Sequence, residues 1–181
     1  MLLFLVMTQF LYGHGSHGSG IMAGVTHPIF GIDHLLAIFA MALYAKTNHR
    51  DNAWYIAFSF VGAMVVGGLI GIKASPFPLE ETVIKGSVIL YGLLLALRVK
   101  IPMMAYVVVG LVIGLFHGHA HGVEMPDSTE TYKYVPGFAI GAIIVSAFGE
   151  FVGRHMAADE AIRARVIGGL IVIGGLWQFL A

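Results

Sequence analysis

Long apolar runs alternate with short polar segments along most of the 181-residue chain. A helix needs about 20 apolar residues to cross the hydrocarbon core of a membrane. On this measure the pattern predicts six spans, at residues 22–45, 52–72, 82–98, 101–121, 134–153 and 163–181. The runs are too long for strands and show no sustained alternation. The sequence therefore predicts an all-α integral membrane protein, a compact bundle of six transmembrane helices.

Composition agrees with this class, because 58% of the residues are hydrophobic and 11% are charged, whereas a soluble domain carries about 25% charged residues. The formal net charge is zero and the basic residues are scattered, so we predict no nucleic-acid partner. The chain has no cysteine, which excludes disulfides and thiolate metal sites. No Gly-x4-Gly-Lys-Ser/Thr loop occurs, so we predict that the protein does not hydrolyse ATP.

The distribution of basic residues orients the bundle. The loops that follow the first, third and fifth spans are more basic than the loops on the opposite side. The two sets are Lys46, Arg50, Arg98, Lys100, Arg154, Arg163 and Arg165 against Lys73, Lys85 and Lys133. Basic loops remain in the cytoplasm, so both ends of the six-helix body are predicted to be external.

The start of the chain precedes the six spans. Residues 1–13 are apolar, and we interpret them as the hydrophobic region of a signal peptide, with an amphipathic or disordered lead-in as the alternative. Residues 14–21 are predicted to form an external arm rich in histidine and glycine, and residues 22–181 are predicted to form the six-helix transmembrane domain. His14 and His17 are candidates for capturing a metal at the mouth, and an incidental flexible tail is the alternative.

The fourth predicted span ends in three histidines and a glutamate. His117, His121 and Glu124 fall at positions i, i+4 and i+7, which places them along one helix face. His119 points elsewhere, toward a neighbouring helix or a second ion. An ionisable group at the bilayer centre costs about 3 kcal/mol, and such groups usually handle an ion, a proton or a substrate. Because histidine and carboxylate bind divalent transition metals, we predict a metal site.

The first predicted span carries a second cluster, formed by His27, Asp33 and His34. Pro28 and Gly31 lie between these ligand candidates, and they predict a kinked or re-entrant entry. At 1.5 Å per residue, Asp33 and His34 lie about 17–18 Å along the helix, near mid-membrane. The two clusters are then predicted to meet in the outer half of the bundle. They would form a funnel that narrows from Glu124, His121 and His27 toward His117, Asp33 and His34.

Glu150 lies in the inner third of the fifth predicted span, with Ser146 one turn away on the same face. A lone carboxylate at this depth is expensive unless it is paired. We interpret Glu150 as a relay or exit ligand below the outer site. An interhelical hydrogen bond or a pairing with Arg154 at i+4 is the alternative interpretation.

The clusters favour metal transport, but two other functions use the same ligands. A membrane sensor or chaperone would bind a metal without conducting it. An intramembrane metalloenzyme would need a general base beside the ion, and neither His-Glu-x-x-His nor a repeated His-box set is present. The ligand types do not separate Ni²⁺ from Co²⁺ or Zn²⁺, because all three accept nitrogen and oxygen. A divalent metal ion and the lipid bilayer are the predicted partners, and the chain is compatible with a homo-oligomer.

The two clusters also carry a family resemblance. His27-x5-Asp33-His34 and Phe116-His117-Gly118-His119-Ala120-His121-Gly122-Val123-Glu124 resemble the two signature motifs of the HupE/UreJ family of nickel permeases. The resemblance covers essentially the whole chain, and the second motif is highly specific. It implies a secondary transporter in the bacterial cytoplasmic (inner) membrane, not an enzyme, that takes up Ni²⁺ and in some cases Co²⁺ for hydrogenase or urease maturation. It also implies the metal-handling residues, which are His27, Asp33, His34, His117, His121 and Glu124.

Overall fold

The computed structural model describes residues 20–127, 129–156 and 160–180. In those residues the chain forms seven α-helices and no strand. They are α1 (Ile21–Phe30), α2 (Ile32–Asn48), α3 (Ala53–Gly71), α4 (Glu80–Ala96), α5 (Met103–Val123), α6 (Thr131–Arg154) and α7 (Glu160–Leu180). The predicted all-α membrane class is confirmed. The predicted signal segment (residues 1–13) and most of the predicted arm (residues 14–21) lie outside the described residues.

The number of spans differs from the predicted six. Among the described residues four helices are long and apolar enough to cross a membrane: Arg50–Gly71, Met103–Val123, Thr131–Arg154 and Ala161–Leu180. The pair formed by α1 and α2 would be a fifth if it is one bent span. The third predicted span, at residues 82–98, corresponds to α4. This helix has 17 residues and is therefore about 25 Å long. It is shorter than the other spans, and Glu80 and Glu81 lie in its first turn.

The first predicted span is broken at Gly31, where α1 and α2 meet at an angle of 76°. Gly31 has extended backbone angles, with φ −70° and ψ 106°. Its N–H donates to the His27 carbonyl at 2.9 Å and so ends α1, while its own carbonyl accepts the Leu35 N–H at 2.8 Å and so begins α2. Pro28 contributes no backbone donor to α1. The predicted kink between His27 and Asp33 is confirmed.

Helices α3 and α5 pack backbone to backbone along a glycine seam. A Cβ atom at Gly67 would overlap the Leu115 carbonyl oxygen, and one at Gly118 would overlap that of Met64. Gly122 lies equally close to the carbonyl of Gly68. Between membrane helices the attraction comes from van der Waals contact and weak hydrogen bonds, which small residues permit at short range. The seam therefore fixes the position of the histidine-bearing end of α5.

Helix α6 packs in the same way against both halves of the broken span. Gly24 of α1 faces the backbone of Gly137, and Gly149 lies against the Phe39 carbonyl of α2. Helices α2 and α5 face each other across large side chains instead, and the Tyr106 hydroxyl donates to the Met41 carbonyl at 2.8 Å. The packing of α1, α2, α5 and α6 thus places the polar motifs around one interior space.

We expect Gly67→Ala to lower the free energy of unfolding by about 1–3 kcal/mol, because the added methyl group overfills the seam. Gly62→Ala is the matched control, since Gly62 lies on the same helix and its Cβ would meet open space. Thermal unfolding of both variants in detergent measures the difference. Equal melting temperatures would contradict the close contact between α3 and α5.

Candidate metal site

Four imidazoles from three helices meet inside the bundle. The ring centroids of His34 and His121 lie 4.4 Å apart, those of His27 and His121 4.8 Å, and those of His34 and His117 4.9 Å. The bend at Gly31 brings the His27 ring to 6.0 Å from that of His34, although the two residues are seven positions apart. The structure thus joins the histidines of the two motifs in one cluster.

Asp33 orients His34 within this cluster. Its Oδ1 accepts the backbone N–H of His34 and the ring Nδ1–H, each at 2.8 Å. A neutral imidazole that donates from Nδ1 has a lone pair on Nε2. The Nε2 atom of His34 is buried without a hydrogen-bond partner among the described residues. The aspartate therefore holds one side of the ring and leaves the other side as a possible metal ligand.

His117 is held in the same manner by its own helix. Its Nδ1 lies 3.1 Å from the Ile113 carbonyl oxygen, which can only accept, so Nδ1 carries the proton and Nε2 the lone pair. This Nε2 is also buried without a partner in the described part of the chain. Both ring nitrogens of His121 are buried without partners as well, and its ring stacks on Phe138 with the centroids 5.0 Å apart.

The cluster reaches the surface at one end, through His27 and Glu124. His27 Nε2 and Glu124 Oε2 are 2.8 Å apart, and their side chains are 23% and 34% exposed. Asp33 is also partly exposed, whereas His34, His117 and His121 are buried. The ring of His27, which α1 carries, packs against that of His121.

The ligand atoms do not converge on one point in this conformation. Within the described ranges, no group of three His, Cys, Asp or Glu side chains is placed to hold one metal ion. The rings of His27, His34, His117 and His121 pack edge to face in three pairs, at interplanar angles of 72°, 75° and 81°. Ligation of one ion by several of these residues requires the rings to turn.

His119 belongs to a separate pair that the sequence interpretation missed. Its Nδ1 lies 2.6 Å from Glu80 Oε1, and both side chains are buried. Its ring stacks on Phe77 with the centroids 4.4 Å apart, and the Phe77 N–H donates to the second oxygen of Glu80 at 3.2 Å. His119 therefore ties α5 to the start of α4 and is not part of the four-imidazole cluster. The only sequence signal was the position of His119 on the face opposite His117 and His121.

Glu150 lies apart from the histidine cluster. It is 2% exposed, Ser146 is fully buried, and the side-chain oxygens of both residues have no hydrogen-bond partner in the described part of the chain. A hydrogen bond from Arg154 to Glu150 is therefore not formed in this conformation. On α6, Glu150 is 16 residues from Tyr134, or about 24 Å along the axis. The other two candidates, His14 and His17, lie outside the described residues.

Helix α6 contributes two aromatic residues to the wall of the cluster, and the sequence interpretation missed both. Phe138 stacks on His121, and the Tyr134 ring meets that of His27 edge to face at 6.4 Å. Both residues are fully buried. Their spacing of four residues indicates one helix face, but aromatic residues at such spacing are common in any membrane helix.

Comparison with known proteins covers nearly the whole chain. Residues 2–178 match the family model described as "HupE / UreJ protein". The chain is 37% identical over 175 residues to Protein HupE of Rhizobium leguminosarum bv. viciae. The aligned region covers 94% of this chain and 91% of that protein. No solved structure matches the chain. The family match includes both histidine motifs.

We expect His119→Ala to destabilise the protein by about 3–5 kcal/mol, because it leaves the Glu80 carboxylate buried without its partner. His155→Ala is the control, since His155 is exposed. Thermal unfolding measures the stability, and a nickel titration of the same samples measures binding. We expect the affinity of the folded protein for nickel to be retained. A stable variant that has lost its nickel binding would instead make His119 a ligand.

Proposed function

The chain belongs to the HupE/UreJ family, and from this membership together with the histidine cluster we propose that it is a secondary transporter for Ni²⁺. The proposed direction is uptake across the bacterial cytoplasmic membrane, with Co²⁺ as a second cargo. The metal would supply the maturation of an enzyme such as a hydrogenase or a urease. The proposed ligand set is the one that the two motifs provide: His27, Asp33, His34, His117, His121 and Glu124.

One observation carries the proposal, namely the unpartnered ring nitrogens of His34, His117 and His121. A buried polar atom without a hydrogen bond costs about 1–3 kcal/mol, and water cannot satisfy it inside a bilayer. Three neighbouring imidazoles each have at least one buried ring nitrogen without a hydrogen-bond partner among the described residues. Two of them are fixed through Nδ1 by a carboxylate or a carbonyl, which is how proteins orient imidazoles that bind metal. Once the rings have turned toward one another, a cation would supply the missing partner for all three.

Entry of the cation is proposed at the end that carries Glu124 and His27. Glu124, His27 and Asp33 are the partly exposed members of the cluster, and carboxylates attract a hydrated divalent cation. The ion would exchange its water for carboxylate oxygen and imidazole nitrogen as it moves inward. Because His34 lies on α2 and His117 and His121 lie on α5, a fully ligated ion would bridge two helices.

Release of the ion on the side of the bundle away from Glu124 and His27 requires a change of conformation. Beyond the imidazoles, the space between α2 and α5 is filled by Met41, Tyr44 and Tyr106, all of which are fully buried. The rings of the two tyrosines lie 4.6 Å apart. This conformation is therefore closed on that side, as alternating access demands of a carrier. Ser146 and Glu150 carry unpartnered oxygens on α6, and we assign them to the exit step.

We expect purified protein in proteoliposomes to take up Ni²⁺ saturably, and Asp33→Asn/His117→Ala to reduce the uptake at least tenfold. The double variant removes the carboxylate that orients His34 and one of the unpartnered nitrogens. Competition with Co²⁺ and Zn²⁺ ranks the cargo ions, and His155→Ala serves as the control. Tight binding of nickel without any uptake would contradict the proposed transport and would favour a membrane sensor or chaperone.

Glu150→Gln separates binding from release. We expect it to lower the rate of nickel uptake several-fold and to leave the affinity for nickel unchanged, because Glu150 lies about 24 Å along α6 from the mouth of the cluster. Glu130→Gln is the control, since Glu130 is exposed and pairs with Lys133 at 3.1 Å. Initial uptake rates and equilibrium titrations measure the two quantities. Unchanged uptake in Glu150→Gln rules out its role in the exit step.

A further inference from the structure

Three tyrosines lie on the far side of the histidine cluster from its mouth, and all three are fully buried. They are Tyr44 of α2, Tyr91 of α4 and Tyr106 of α5, which together we call the tyrosine layer. The Tyr106 ring lies 4.6 Å from that of Tyr44 and 5.8 Å from that of Tyr91, measured between centroids. On α5, Tyr106 is 11 residues from His117, or about 16 Å along the axis. The layer therefore joins three helices below the imidazoles.

Two of the three hydroxyl groups fasten the layer to its surroundings. The Tyr106 hydroxyl donates to the Met41 carbonyl at 2.8 Å, and so it joins α5 to α2. The Tyr44 hydroxyl donates to the Val99 carbonyl at 2.8 Å and accepts the Ile101 N–H at 3.2 Å. Tyr44 thus joins α2 to the loop between α4 and α5.

The loop that Tyr44 contacts is itself fixed to the end of α4. Arg98 has a left-handed backbone, with φ 54°, a conformation that commonly ends helices. The Val99 N–H then donates back to the Leu94 carbonyl at 3.1 Å. Because the loop is held on α4, a movement of α2 away from α4 has to break the bonds of the Tyr44 hydroxyl.

The tyrosine layer lies next to the surface that carries the loops. His49, in the loop that follows α2, is partly exposed. Its ring lies 6.1 Å from that of Tyr44 and 5.9 Å from that of Tyr106. Opening of the layer would therefore connect the interior space with the loop side of the bundle.

The strength of these bonds suits a contact that opens and closes. One hydrogen bond shifts an equilibrium about 3–10-fold in net terms. The bonds of the two hydroxyls together therefore favour the closed arrangement clearly, but they do not make it permanent. The rings fill the space, and the hydroxyls make directional contacts that only the closed arrangement allows.

We propose that the tyrosine layer is the inner gate of the transport path, and that the hydroxyls of Tyr44 and Tyr106 are its latch. The gate opens when α2 moves away from α5 and from the loop after α4, which breaks the hydroxyl contacts. The ion then passes from the histidine cluster to the loop side, which the basic residues predict to be cytoplasmic. This role rests on the proposed function, since a gate presupposes an ion that passes through it.

A single introduced thiol reports the opening. The chain has no cysteine, so Gly110→Cys carries the only thiol. Gly110 is buried on α5 between Tyr106 and His117. A Cβ atom there would meet no atom of another described helix nearer than the Phe60 ring, at 4.0 Å. The full-length protein in lipid nanodiscs is treated with a cationic methanethiosulfonate reagent, and mass spectrometry measures the labelling rate.

We expect Tyr44→Phe and Tyr106→Phe each to raise the labelling rate of Gly110→Cys about fivefold, because each removes part of the latch and keeps the ring. Tyr91→Phe is the matched control. Its hydroxyl makes no hydrogen bond in the described part of the chain, so its removal should leave the rate unchanged. Reagent that enters past the histidine cluster contributes equally to all three variants.

Ile171→Cys separates opening of the gate from a general loosening of the bundle. Ile171 is buried on α7, one turn from Gly168, which lies against the α4 backbone. We expect its labelling rate to be the same in every tyrosine variant. An equal rise at Ile171→Cys would overturn the gate, and so would equal rates for Tyr91→Phe and Tyr106→Phe at Gly110→Cys. The labelling needs no nickel, so the expected rates without any nickel uptake would reject the proposed cargo and leave the gate in place.

Discussion

A polar group inside a membrane bundle has to find its partner within the protein, because the surrounding hydrocarbon offers none. This constraint divides the buried imidazole nitrogens into two sets. Some are bonded, as in the contacts of His34 with Asp33, His117 with Ile113 and His119 with Glu80. The second ring nitrogens of His34 and His117 remain unpartnered. In these two residues the bonded nitrogen sets the orientation of the ring, and the unbonded nitrogen is the one available for chemistry.

Much of this arrangement follows from helix geometry, and the sequence could predict that part. The fourth and fifth spans were predicted at 101–121 and 134–153 and form Met103–Val123 and Thr131–Arg154, because long apolar runs mark helices clearly. The spacing of His117 and His121 predicted one face, and the rise per residue predicted that the two motifs would meet. The kink near Pro28 and Gly31 was also predictable, because both residue types interrupt helices.

The remainder depends on contacts between distant parts of the chain. The close packing of α1 on α6, with Gly24 against the backbone of Gly137, was not visible in the local sequence, and neither was the size of the bend at Gly31. The pairing of Glu80 with His119 was not predicted, because the two residues are 39 positions apart. Tyr134 and Phe138 were not singled out, because aromatic residues four positions apart on an apolar helix carry no specific signal. The short length of α4 was already visible in the sequence, because the predicted span at 82–98 has 17 residues, as many as the helix.

The glycine seams have a mechanical consequence. Helices in backbone contact cannot slide or part easily, so we expect α3 and α5 to move as one body and α6 to move with α1 and α2. The contacts of His34 with His117 and His121, and that of His27 with Glu124, all cross the boundary between these bodies. An ion held by ligands from both bodies, as the proposed function requires, would therefore fix them to each other at one end of α5. Since α5 is about 32 Å long, a small movement of the ligands at that end would become a much larger movement at its far end.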